Sequence, residues 1–108
     1  MTTREKTSAL LAEFKTRLET IYGQRLKGIF LYGSHARDQA SPDSDVDVVI
    51  VLDDWDHYAG EVDRTGAVAS ELSLAYGLTM SRVFIRERDW LQGDAPFLAN
   101  AREEAIPA

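Results

Sequence analysis

No cysteine occurs in this 108-residue chain, which excludes disulfides and thiolate metal sites and leaves the redox compartment unmarked. Long hydrophobic runs are missing too. No apolar stretch approaches the roughly 20 residues needed to span a bilayer, and Met1 to Lys15 mixes apolar residues with charges of both signs, unlike a secretory leader. The chain is therefore expected to be soluble and cytoplasmic, with no membrane partner. Nor is there a basic excess: 12 Lys and Arg face 18 Asp and Glu, a net charge of −6. That balance argues against direct nucleic-acid binding, because a surface that neutralises many phosphates needs the opposite sign. A single nucleotide carrying its own Mg²⁺ remains compatible with it. The two histidines, His35 and His57, lack metal-ligand spacing and read as surface residues.

What is present is ordinary globular material. Hydrophobic residues at 44% and charged residues at 28% argue against wholesale disorder. The length fits one compact domain over residues 1–108, burying about 65% of the unfolded chain's surface. Leu10, Leu11, Phe14, Leu18 and Ile21 recur at helical spacing, predicting a first helix over roughly Thr3 to Tyr22 that Gly23 ends. Leu26 to Tyr32 reads as a strand covered on both faces. Gly33-Ser34 breaks it, with Ser34 as N-cap of a brief helical turn over His35 to Gln39, and Ser41 to Ser44 follows as a loop.

Val46 to Leu52 is the second strand, central in the sheet and apolar on both faces beyond its acidic start. Between Asp56 and Tyr76 a helix can gather Tyr58, Val62, Ala69, Leu72 and Tyr76 on one face, although Gly60 and Gly66 weaken it by about 1 kcal/mol each relative to Ala. Thr79 to Ile85 is a third strand, and Asp89 to Ala105 a broken helical tail with Pro96 near the start of its second piece. Trp55 and Trp90 follow strands two and three and are expected to cap the core edge. This order makes an α/β (α+β) fold, a small mixed sheet of three to four strands flanked by helices. The short link from Ser34 to Ser44 makes the first two strands antiparallel neighbours. The apolar face of the first or last helix is open to cover by a second subunit, so an oligomer is compatible.

One segment carries chemistry. Asp45 and Asp47 are two apart on an extended chain, so both side chains leave the same face with Cα atoms roughly 6.5 Å apart. So placed, they can converge on a divalent cation. Gly33 and Ser34 supply exposed N–H groups and a hydroxyl without a Cβ obstruction, which suits phosphate oxygens. Arg37 can reach a phosphate oxygen or stay in solvent. Taken singly, a Gly-Ser turn or a pair of Asp residues at a strand start is most often only structural. Their conjunction, with ten residues between Ser34 and Asp45 and apolar strands on both sides, favours a metal-and-triphosphate site. The alternative use of Asp43, Asp45 and Asp47 as an EF-hand loop fails, because Val48 stands where the sharp turn needs Gly and Asp54 where a bidentate Glu is needed.

The segment resembles the minimal nucleotidyltransferases of the polymerase-beta-like superfamily, whose signature is Gly-Ser, about ten residues, then Asp-x-Asp. Gly33, Ser34, Asp45 and Asp47 match it, as does Ala36-Arg37, while Asp38 stands where the family commonly has Gly. The resemblance implies the small αβαβ nucleotidyltransferase fold and Mg²⁺-dependent transfer of a nucleoside monophosphate, AMP from ATP, to a hydroxyl acceptor. Asp45 and Asp47 would be the catalytic metal ligands, with Gly33, Ser34 and Arg37 on the nucleotide. It also implies a protein partner such as a HEPN-type ribonuclease toxin, for which stand-alone members act as antitoxins. The family's third carboxylate, on the next strand, is missing: Ser81 or its neighbour Arg82 holds its place, and Glu87 and Asp89 would reach the site only through an irregular bend. The alternative function is therefore a catalytically impaired nucleotide-binding or partner-binding subunit on the same fold.

Overall fold

A computed structural model of the chain describes residues 2–41 and 43–108. Helix α1 spans Thr3–Tyr22 and buries Leu10, Leu11, Phe14 and Leu18. Tyr22, four residues after Leu18, completes the stripe in place of Ile21, which is 36% exposed. A phenol can go inside only if its hydroxyl is satisfied. Tyr22 donates to the Glu61 carboxylate at 2.7 Å, and burial first, then that bond and charge, push its hydroxyl above the usual phenol range.

After a 3₁₀ turn at Gly23–Arg25, strand β1 (Leu26–Tyr32) pairs antiparallel with β2 (Val46–Leu52), as the short link demands. Pro42, part of the loop expected between them, lies outside the described residues. Helix α2 (Tyr58–Tyr76) carries the chain over the sheet to β3 (Met80–Arg86), which lies parallel to β2. Its buried seam is Glu61, Thr65, Val68, Ala69 and Leu72, rotated from the expected face; Tyr58 is 43% exposed. A count of apolar periods scores Glu61 as polar and cannot see Tyr22 coming to meet it. The tail breaks as expected into α3 (Glu87–Gln92) and α4 (Pro96–Glu104). A two-residue strand, β4 (Ile106–Pro107), then adds to the edge of β1.

The sheet order β3-β2-β1-β4 puts β2 inside, where its Val- and Ile-rich sequence belongs. One face packs Val46, Val48, Ile50 and Leu52 against α1 and α2, so the first helix is covered by its own core. The other packs Val49 and Val51 against Trp90 of α3 and Ala101 of α4. Both tryptophans sit at core edges, Trp90 stacked on Phe30 at 4.8 Å and Trp55 beneath the Arg86 guanidinium at 4.3 Å. Among the described residues no helix is long and apolar enough to cross a membrane.

Candidate functional site

β1 stops because Gly33 turns the chain at a φ of +74°, a left-handed value that costs a residue with a side chain roughly 1–2 kcal/mol. The space beside it is also taken. A Cβ built at Gly33 would collide with an oxygen of the Asp47 carboxylate, so the acid lies against bare backbone at the bend. Strand register produces this closeness, since Asp47 pairs with Tyr32 across the antiparallel ladder and Gly33 comes next.

Ser34 to Asp38 form the brief turn expected over His35 to Gln39, set one residue earlier. The Arg37 N–H donates to the Gly33 carbonyl at 3.1 Å and the Gln39 N–H to the Ser34 carbonyl at 2.9 Å. Asp38, at a φ of +57°, then leaves helical geometry. The backbone thus keeps the conformation that suits the family's usual Gly. Asp38→Gly is expected to raise stability by about 0.5–1 kcal/mol, read as a higher urea midpoint at unchanged m-value. The ion pair it removes, to Arg4 at 3.8 Å with both partners largely in solvent, is too weak to reverse the sign. Among the described residues, the amides of Ser34, His35 and Ala36 meet no acceptor within the protein, so the head of the turn presents donors to an anion.

Asp45 is exposed just before β2 and Asp47 half-buried on it. Burial raises the Asp47 carboxyl above its usual 3.8, and the negative charge of Asp45 raises it further against a smaller opposing pull from His35 and Arg37. Such a pair lacks full countercharge, which is what a divalent cation supplies. No third His, Cys, Asp or Glu joins it in a ligand group among the described residues. That donor set suits Mg²⁺, which keeps several waters and takes one or two carboxylates together with substrate phosphates.

Ser81 pairs with Asp47 in the parallel ladder and shares its sheet face. Arg82 turns the other way and donates to the Val62 carbonyl on α2 at 3.1 Å, so Ser81 alone stands where the third acid was sought. Glu87 and Asp89 do not reach the site. They begin α3 after Arg86, which pairs with Leu52, roughly 17 Å along the strands from Asp47.

Arg37 is held rather than free, donating to Glu104 of α4 at 3.1 Å and to Gln39 at 3.2 Å. His57 is exposed as expected, but His35 is half-buried and hydrogen-bonded through both ring nitrogens, to Thr7 at 3.2 Å and the Ser44 carbonyl at 3.1 Å. It is not the surface residue its isolation in the sequence suggested. Sequence reasoning also passed over Tyr32, whose ring meets Phe97 of α4 edge-on at 5.7 Å. Its hydroxyl is raised above the phenol range by burial and then by the Asp47 charge. A cleft of about 410 Å³ lined by Arg25, Asp53, Asp54, Trp55, His57 and Arg64 lies past the far end of β2. It contains none of these site residues.

Comparison with known proteins bears on this geometry. Residues 11–90 match the family model of the nucleotidyltransferase domain. Two Methanocaldococcus jannaschii proteins are similar in sequence. "Putative protein adenylyltransferase MJ0141" is 31% identical over 78 residues, covering 72% of this chain and 78% of that protein. "Putative protein adenylyltransferase MJ0604" is 34% identical over 74 residues, covering 68% and 67%. Two crystal structures share the fold. One is a mutant of the toxin-antitoxin MntA-HpeT, at a TM-score of 0.59 and 16% identity over 90% of this chain and 70% of that one. The other is a toxin-antitoxin with AMP-PNP, at 0.59 and 17% over 88% and 69%. With the family match spanning most of the chain around Gly33, Ser34, Asp45 and Asp47, this protein belongs to the nucleotidyltransferase domain family.

Proposed function

We propose that this protein, as a single cytoplasmic domain, moves AMP from ATP to a hydroxyl on a partner protein. Asp45 and Asp47 hold Mg²⁺, while Gly33, Ser34 and Arg37 take the triphosphate. The observation that carries this reading is the Asp47 carboxylate resting on the Gly33 bend, beside a second acid and a row of unengaged amides. Bound Mg²⁺ would neutralise charge on the phosphates and the departing pyrophosphate. The chain's own part is placement. Turn amides fix the phosphate tail, Asp45 and Asp47 fix the cation side, and Arg37 exchanges Glu104 for a phosphate oxygen. The acceptor oxygen attacks the α-phosphorus, the bond to the pyrophosphate oxygen breaks, and the hydroxyl proton leaves to solvent.

The names of the two M. jannaschii relatives support adenylyl transfer to protein. The toxin-antitoxin neighbours, one with an ATP analogue, support a nucleotide and a protein partner, for which we propose a HEPN-type toxin. Labelled ATP incubated with Mg²⁺ and candidate partners tests the reading. Transfer that disappears in Asp45→Asn and Asp47→Asn upholds it.

One observation favours a second reading. Ser81 beside Asp47 gives the acceptor hydroxyl no carboxylate to take its proton, and general-base help of that kind is worth roughly 10²-fold or more. The chain would then bind nucleotide and partner without fast chemistry. Ser81→Asp separates the two. In an enzyme the native chain transfers label and Ser81→Asp raises that transfer about tenfold or more, whereas in a binding subunit the native chain transfers none, Ser81→Asp is needed for any transfer, and partner binding is indifferent to Asp45→Asn and Asp47→Asn.

A further inference from the structure

The candidate site has two halves, the Gly33–Ser34 turn and the acidic entry to β2, and the main-chain ladder joins them only in part. β1–β2 pairing ends at Tyr32 and Asp47, and β2–β3 pairing ends at Val46 and Met80. Asp45 lies beyond both. The residues leading to it are tied mainly to themselves, through the Ser44 N–H to the Ser41 carbonyl at 3.0 Å and the Ser41 N–H to the Ser44 hydroxyl at 3.0 Å. Among the described residues, a single side chain crosses from the 33–40 turn to the 41–45 segment by a hydrogen bond. That side chain is His35, whose Nε2 lies 3.1 Å from the Ser44 carbonyl.

The ring's far nitrogen is anchored as well. Nδ1 lies 3.2 Å from the Thr7 hydroxyl, and Thr7 is a buried residue of α1 that also lies 2.9 Å from the Thr3 carbonyl. A carbonyl can only accept, so Nε2 carries the hydrogen toward Ser44. In the neutral ring Nδ1 then accepts from the Thr7 hydroxyl, which has one hydrogen to share between Nδ1 and Thr3. Thr7 thus sets the ring's orientation, and the ring sets the carbonyl immediately before Asp45.

We propose that His35 is a positioning residue: bridging Thr7 and Ser44, it holds Asp45 over the Gly33–Ser34 turn so that both acids meet one cation. This rests on the nucleotide reading above. A tie with a purely structural role would affect stability alone, whereas a tie that aims Asp45 affects how much Mg²⁺ adds to nucleotide binding.

Calorimetric titration with AMP-PNP, with and without Mg²⁺, measures that gain. In folded His35→Ala the gain is expected to fall about tenfold, with Mg²⁺-free binding within twofold of the native chain. His35→Gln, whose amide can donate to the Ser44 carbonyl, is expected to recover most of it, and Thr7→Val to fall between. An undiminished gain in His35→Ala, or equal losses with and without Mg²⁺, overturns the positioning role while leaving the nucleotide reading standing. A native chain that gains nothing from Mg²⁺ overturns both, and the native titration alone identifies that case. Long-range ¹H–¹⁵N spectra of the native chain give a check that needs no variant: the His35 imidazole is expected with its hydrogen on Nε2, and a hydrogen on Nδ1 alone refutes the bridge.

Discussion

Asp47→Asn is expected to abolish adenylyl transfer while making the apo-protein more stable. If Asp47 holds the metal as proposed, its loss forfeits several kcal/mol of transition-state charge stabilisation, a drop of roughly 10³-fold. The gain in stability comes from the same placement. Burial first and Asp45 second raise the folded Asp47 carboxyl above its usual value. For an acid with a raised folded pKa, the native state binds more protons than the unfolded chain just above pH 3.8, so stability from this group falls as the pH climbs through the window. At neutral pH the ionised carboxylate therefore opposes folding, and the amide does not. Melting curves should show three things together: a higher midpoint for Asp47→Asn at pH 7, a flatter pH dependence above pH 4, and none of the upward shift with Mg²⁺ that the proposal expects of the native chain. A variant that melts lower at pH 7 and still responds to Mg²⁺ would mean that Asp47 is neither a metal ligand nor a strained acid.

Gly33→Ala is expected to be strongly destabilising. Two independent costs meet there. The left-handed φ of +74° penalises a side chain by roughly 1–2 kcal/mol, and the new Cβ must displace the Asp47 carboxylate. Together they amount to about 2–3 kcal/mol, a drop of roughly 10 °C in melting temperature for a domain of this size. Transfer should fall with it, because the displaced group is the proposed metal ligand. The double variant Gly33→Ala with Asp47→Gly clears the collision and leaves only the backbone term, so the two substitutions should be visibly non-additive. Strict additivity would show that the carboxylate does not rest on the bend.

Much of this was legible in the sequence, for identifiable reasons. The strands Leu26–Tyr32 and Val46–Leu52 announce themselves through dense Val, Ile and Leu bounded by Gly33 on one side and the Ser41–Asp43 turn residues on the other. A one-dimensional pattern is sufficient because both elements take their identity from local composition. The Gly-Ser and Asp-x-Asp parts of the site were legible for the same reason, since each depends on residues adjacent in the chain and a ten-residue link brings the halves together.

What escaped depends on partners distant in sequence. His35 meets Thr7, 28 residues away, and Tyr22 meets Glu61, 39 residues away; neither encounter leaves a periodic trace. Glu61 illustrates the physics. Buried acids are rare unless paired, so a reading by hydrophobic period puts Tyr58, Val62, Ala69, Leu72 and Tyr76 on the covered face of α2; Ala69 and Leu72 are buried and Val62 and Tyr76 pack beside them, but Tyr58 turns outward and Glu61 goes in. The phenol on α1 changed that arithmetic by offering a donor inside the core. Strand β4 was missed because its two residues pair with Phe30 and Leu31 through the main chain, which no side-chain pattern records. The place of Ser81 was foreseen, but its separation from Arg82 required the parallel register to decide which of the two faces Asp47.

The strand that bears Asp47 is walled in on both sides: of Val46 to Leu52, every residue but Asp47 itself is buried. Aim and foldedness are thereby the same property: no loosened form of this molecule keeps its interior while letting that acid wander. Under the proposed function, adaptation to a new acceptor would have to work at the rim, on α4 and at those positions of the 34–44 crossing that neither take phosphate nor hold Asp45.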